Sequence, residues 1–304
     1  MSNIEIMLIL TSLVLVGYAA HRLGYLGGDF DKKLSGLIVD FTCPALILSS
    51  VTGDRLPDRA MIIPLLGIGF LTYILLTFAG LYLPRFVTGR RQDEGILGFA
   101  MMFGNVGFIG YPIVAAIFGP EAVFYAAILN VPNTLWVFTV GNMLLNGGRR
   151  AGRFHARILY CPAMVAAYLA MLVVALGIEG IPSMVSEPLT LLGNITIPGA
   201  LLIIGSSMAS LPARNLMGDR SIYLTAALRL LVLPVIIHLL FTALGFPQQS
   251  VAINTVIIAM PVATYGTIFC LKQGIDVKVM TEVTFISTIA SIITTPLIVQ
   301  LISL

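Results

Sequence analysis

The sequence predicts an all-α integral membrane protein of ten transmembrane helices, built as two inverted five-helix repeats. Three observations carry that reading. Hydrophobic residues make up 58% of the 304-residue chain and charged residues 10%, where a soluble domain carries roughly 25% charged residues; mean hydropathy is +0.99. Apolar stretches long enough for helices of ~20 residues follow one another along the whole chain. Basic residues alternate from loop to loop, and a motif recurs at a fixed interval.

Spans are expected near residues 4–21, 34–52, 60–83, 94–118, 122–146, 156–177, 187–209, 221–244, 250–271 and 279–303. Span 1 has no basic n-region and no small-residue cleavage site, so it reads as a retained span rather than a signal peptide. Span 2 carries an acid, Asp40, and a Thr42-Cys43-Pro44 motif. Span 3 is bounded by Gly53-Asp54-Arg55-Leu56-Pro57-Asp58-Arg59 and by Arg85, Arg90 and Arg91. Span 4 contains Gly104-Asn105-Val106-Gly107-Phe108-Ile109-Gly110-Tyr111-Pro112, which is too rich in Gly and Pro for an uninterrupted helix. Span 5 holds Asn130-Val131-Pro132-Asn133, whose amides share a face at i and i+3.

The second half repeats this plan. Span 7 carries Thr196-Ile197-Pro198, at an offset of 154 from Thr42-Cys43-Pro44, with Asn194 in the place of Asp40. Span 8 contains Arg229 and span 10 Glu282. Span 9 is interrupted by Ala259-Met260-Pro261-Val262-Ala263-Thr264-Tyr265-Gly266-Thr267, much as span 4 is interrupted. Five spans per half turn the second half over in the membrane. The halves are expected at 1–146 and 158–304, joined by a short basic cytoplasmic linker, 147–157.

Of seventeen Lys and Arg residues, fourteen fall in the loops after spans 1, 3, 5, 7 and 9. Only Arg55 and Arg59 lie on the opposite side, and Arg229 lies within a span. The positive-inside rule therefore puts both termini outside the cytoplasm.

Paired broken helices in corresponding positions of an inverted repeat point to a transporter site. At each break, one half-helix offers backbone N–H groups and the other offers C=O groups. Such ends bind a carboxylate without a permanent charge in the bilayer, where Arg and Lys are costly. Gly107, Gly110, Pro112 and Pro261 shape the breaks. Asn105 supplies an amide, and Thr264, Tyr265 and Thr267 supply hydroxyls. The alternative is that these residues only kink packed helices. Asp40 reads as a proton carrier, cation ligand or anion-repelling gate, or as an acid satisfied by a polar neighbour or cytoplasmic water. Arg229 reads as an anion contact or as half of a structural ion pair with Glu282.

Gly104-Asn105-Val106-Gly107-Phe108-Ile109-Gly110-Tyr111-Pro112, Asn130-Val131-Pro132-Asn133-Thr134, Met260-Pro261 with Gly274, and Thr295-Pro296-Leu297 together resemble the auxin efflux carrier family, of bacterial type, along essentially the whole chain. That family is related to the bile acid:sodium symporters. The resemblance implies a scaffold of spans 1, 2, 6 and 7 and a transport domain of spans 3–5 and 8–10. Broken spans 4 and 9 cross within that domain, and it moves in elevator fashion. It implies a small organic anion as cargo, an auxin-like acid or a dicarboxylate such as malonate or malate. The resemblance also sets Asn133 beside the substrate, places Asp40 and Asn194 on the scaffold, and suggests a homodimer. Asn130 joins Asp40, Asn194 and Arg229 as a coupling or gating candidate; interhelical hydrogen bonding is the plainer role for both Asn130 and Asn133.

The sequence argues against other classes. It contains no Walker motif, so direct ATP coupling in this chain is not expected, and Gly104-x-x-Gly107-x-x-Gly110 lacks the βαβ unit of a dinucleotide site. His21, His155 and His238 are scattered, and Cys43, Cys161 and Cys270 lie far apart in apolar spans, so no metal, cofactor or disulfide is expected. His238 reads as a satisfied structural histidine. No catalytic triad or acid pair is legible, nor is a nucleic-acid partner; the partners expected are an organic anion and the bilayer. A sodium-coupled symporter and a membrane ligand sensor remain the competing functions, with H⁺ or Na⁺ as possible coupling ions. A bacterial inner, or plasma, membrane is the expected location, with periplasmic or extracellular termini.

Overall fold

The computed structural model describes residues 3–53, 56–146, 160–210 and 218–302, and helix occupies each of the ten expected stretches. The basic linker 147–157, with His155, lies outside the described residues, as do Arg55 and Arg214. Among the described residues, five helices are long and apolar enough to cross a membrane: Arg59–Val87, Ala122–Leu145, Ser183–Ser210, Arg220–Ala243 and Lys278–Ile302. Leu8–Arg22, Val106–Phe118 and Pro162–Leu176 are shorter apolar helices. Ile63 and Phe86 stand more than 80% exposed, as suits side chains whose solvent is lipid.

Proline shapes several of these helices. A proline has no N–H and its ring crowds the carbonyl four residues back. Three of the four described π-helical turns, Ile38–Thr42, Val106–Gly110 and Leu228–Val232, end two residues before Pro44, Pro112 and Pro234. The crowded carbonyl belongs to the middle residue of each turn: Asp40, Phe108 or Leu230. Widening the turn moves that carbonyl aside and lets the helix run on.

The residues pack as two compact units. One comprises Met1–Leu66, Gly107–Val131 and Arg157–Leu211. The other comprises Gly67–Val106, Pro132–Ala156 and Pro212–Leu304. Each draws on both halves of the sequence.

In the first unit, Asn3–Arg22 lies along Ser183–Ser210 at a spacing only small residues allow. A Cβ at Gly17 would sit 2.2 Å from the Leu202 carbonyl oxygen, and one at Gly205 would sit 2.0 Å from that of Val14. Thr42 and Thr196 join their hydroxyls at 2.9 Å in the buried interior.

In the second unit, Gly98 lies against Gly80 and Gly95 against Leu144, with equally little room. Phe99 and Phe103 pack at 4.8 Å, and Phe138 meets Phe269 edge-on at 5.2 Å. The buried amide of Asn254 donates to the Thr72 hydroxyl at 3.0 Å, and the Trp136 indole donates to Thr77 at 2.9 Å. Such bonds hold helices together where apolar attraction between them is weak.

Candidate functional site

The second unit contains the crossing of two broken helices. Arg91–Met102 ends at Phe103, and helix resumes at Val106. Gln248–Ile258 ends at Ala259, and helix resumes at Tyr265. The interrupted backbones pair as a minimal antiparallel bridge, Gly104 opposite Val262. Asn105 N–H donates to the Pro261 carbonyl at 2.8 Å, and Ala263 N–H donates to the Phe103 carbonyl at 3.0 Å. Val262 N–H donates to Ser287 Oγ at 3.0 Å, and that hydroxyl donates to the Thr284 carbonyl at 2.9 Å. Two of the groups freed by each break thus pair across the crossing and Ser287 takes another, as buried backbone requires.

The break is narrower than the sequence suggests. Gly107 and Gly110 lie within the π turn Val106–Gly110, and Pro112 lies in the first turn of Tyr111–Phe118. Helix therefore absorbs most of the Gly-rich stretch, because the π turn accommodates the proline. These three residues belong to the first unit.

Arg229 is fully buried beside the crossing. Its Nη1 donates to the carbonyls of Met101 and Met102 at 3.1 and 3.0 Å, and its Nε donates to the carbonyl of Met260 at 3.1 Å. Those carbonyls lie at or just beyond the C-terminal ends of two helices, where the backbone presents unpaired acceptors and negative partial charge. Its Nη2 makes no hydrogen bond to the described residues and points at Gly104, where a Cβ would come within 2.1 Å of it. The expected ion pair with Glu282 is absent among the described residues. The reason is local: two helix ends supply the acceptors that a carboxylate would otherwise provide.

Around the crossing, Asn105 and Asn133 are buried, and the Asn133 and Tyr265 side chains share a hydrogen bond. Pro261 is buried, Thr264 exposed and Thr267 half-buried. Asn105, Asn133, Pro261, Thr264, Tyr265, Thr267 and Arg229 thus belong to one unit.

The remaining candidates belong to the first unit. The Asn130 amide donates to the Tyr111 hydroxyl at 2.9 Å. Asp40 is exposed on the π turn Ile38–Thr42, and Asn194, 154 residues further on, is exposed too. His21 meets the Ser206 hydroxyl at 2.9 Å, and that hydroxyl donates to Asp31. In the second unit, His238 meets the Thr255 hydroxyl at 3.0 Å.

Sequence reasoning passed over Tyr111, Ser287 and the Thr42–Thr196 bond. A signal for two of them was present. Tyr111 and Tyr265 stand 154 apart, the same interval as Thr42 and Thr196. Each tyrosine reaches an asparagine of helix Ala122–Trp136: Asn130 for Tyr111 and Asn133 for Tyr265. Ser287 had no such signal, because its partner is a backbone N–H exposed by the break.

A family profile described as "Membrane transport protein" matches residues 2–156 and 151–299. The chain belongs to this family. It is the auxin efflux carrier family that the motifs resemble. Among its relatives, an "Uncharacterized transporter" of Methanothermobacter thermautotrophicus is 26% identical over 98% of this chain and 97% of its own length. Another "Uncharacterized transporter", of Methanocaldococcus jannaschii, is 23% identical over 96% of each chain. A protein of Rhizobium meliloti named "Putative malonate transporter" is 23% identical over 93% of this chain and 90% of its own length. Family membership and the apolar helices make this a multi-pass membrane protein of a transporter family, which is not an enzyme family.

Proposed function

We propose that the protein is a secondary carrier for a small organic anion, with malonate-like dicarboxylates the first class to test. The observation that carries this reading is the paired crossing of two broken helices at Gly104 and Val262, held by backbone bonds. Such a crossing brings helix ends and polar side chains together at membrane depth, the arrangement that carriers use for charged cargo. The Rhizobium relative's name supports the substrate class.

In this reading Asn105, Asn133, Thr264, Tyr265 and Thr267 contact the anion, and Pro261 sets the second break. Gly107, Gly110 and Pro112 contribute the resumed half of span 4 on the sequence argument. Asn130, Asn194 and Asp40 serve coupling or gating. Ten spans form two inverted halves, 1–146 and 158–304. The 154-residue interval of the Thr42–Thr196 and Tyr111–Tyr265 pairs supports that repeat. Spans 1, 2, 6 and 7 form a scaffold, and spans 3–5 and 8–10 move as an elevator in a bacterial inner membrane. A homodimer completes the proposal.

The test is counterflow in proteoliposomes loaded with malonate, malate or indole-3-acetate. Saturable exchange of at least one acid, lowered about tenfold in Asn105→Ala, is the expected result. Saturable binding without flux for every acid would favour a ligand sensor and overturn the carrier reading.

A further inference from the structure

We propose that Arg229 is a built-in cation, standing where a sodium-coupled carrier would hold its ion, so that this protein moves its anion without sodium. The inference deepens the carrier reading and rests on it. Three uncharged carbonyl oxygens, of Met101, Met102 and Met260, converge on one fully buried guanidinium at 3.0–3.1 Å. Carbonyls at the ends of two broken helices are the ligand chemistry that coordinates a coupling sodium ion in carriers of this kind of architecture. Here a side chain fills that cluster. A guanidinium stays protonated throughout the physiological pH range, and a side chain cannot dissociate during the transport cycle. The positive charge that a mobile ion would bring and remove therefore stays in place. Gly104 is part of the device: any Cβ there would collide with Nη2.

Arg229 is thus a positioning residue for the crossing and sets its ion dependence. The test follows thermal unfolding of the purified full-length protein in NaCl and in choline chloride at equal ionic strength, with no organic anion present. Wild type is expected to unfold at the same temperature in both salts. Arg229→Met is expected to unfold at a lower temperature and to recover by roughly 3–6 °C in saturating NaCl, with no recovery in choline. Arg229→Lys keeps a cation and is expected to remain indifferent to sodium. Saturable, sodium-specific stabilisation of wild type overturns the proposal, as does a folded Arg229→Met that ignores sodium. If Arg229→Met does not accumulate, wild type and Arg229→Lys decide: sodium specificity in either overturns the proposal, and indifference in both upholds it. Failure of malonate, malate and indole-3-acetate to cross liposomes sinks the carrier reading alone, because the unfolding assay contains no cargo.

Discussion

At Gly104, the difference between a hydrogen atom and a methyl group decides whether Arg229 can reach three carbonyls. Gly104→Ala places a Cβ within 2.1 Å of Nη2, and the backbone opposite is fixed by the bridge to Val262. We expect that variant to lose about 1–3 kcal/mol of stability, the usual cost of overpacking, read as a lower unfolding midpoint. An unchanged midpoint would mean that the guanidinium can swing aside. Asn105 poses a different question. Its backbone N–H serves the bridge, and the proposed carrier uses its side-chain amide separately, on cargo. Asn105→Ala should keep the fold and lower counterflow about tenfold, the equivalent of ~1.4 kcal/mol. Normal flux in a folded variant would remove Asn105 from the site. At this scale the sequence was only partly legible. Asn105 and Tyr265 stood out by residue type, whereas the partner of Arg229 did not. Backbone carbonyls are invisible in a list of side chains, so the acid Glu282 looked like the natural mate.

The helices were more legible, because hydrophobic length and helix breakers mark where each can form. What the pattern could not give was the width of a break. Nine residues from Gly104 to Pro112 look disruptive, yet the interruption before helix resumes is confined to Phe103–Asn105. A π turn absorbs the rest. The recurrence of the Thr-x-Pro motif at Thr42 and Thr196 was legible, although the contact between the two hydroxyls was not. We expect a double-mutant cycle with Thr42→Val and Thr196→Val to return a coupling of roughly 0.6–1.7 kcal/mol, the range for hydrogen bonds between membrane helices. Additive effects would mean that the bond contributes nothing to the packing of Ser183–Ser210 on the helix around Cys43.

For the molecule as a whole, composition was the most legible feature, since the bilayer as solvent permits few architectures. Topology offers a direct check. With the native cysteines replaced, Ser2→Cys and Ser303→Cys should both react with a membrane-impermeant maleimide on intact cells. Labelling of one terminus only after lysis would break the even span count, and labelling of both only after lysis would invert the orientation. Cargo identity was the least legible property. A crossing built mainly from backbone groups and amides specifies charge and size more than a particular acid, so the substrate panel must supply the name.

The bridge between Gly104 and Val262 also bears on inheritance. Its bonds run between main-chain groups, which every residue except proline carries in full. Substitutions that leave the chain length unchanged can therefore accumulate around it, except where a side chain would strike Arg229. A single-residue insertion or deletion between Phe103 and Asn105, or between Met260 and Ala263, would slide one backbone past the other and unpair both flanking bonds at once. Lineages of this family that keep the crossing are expected to drift in spelling there while holding their letter count constant.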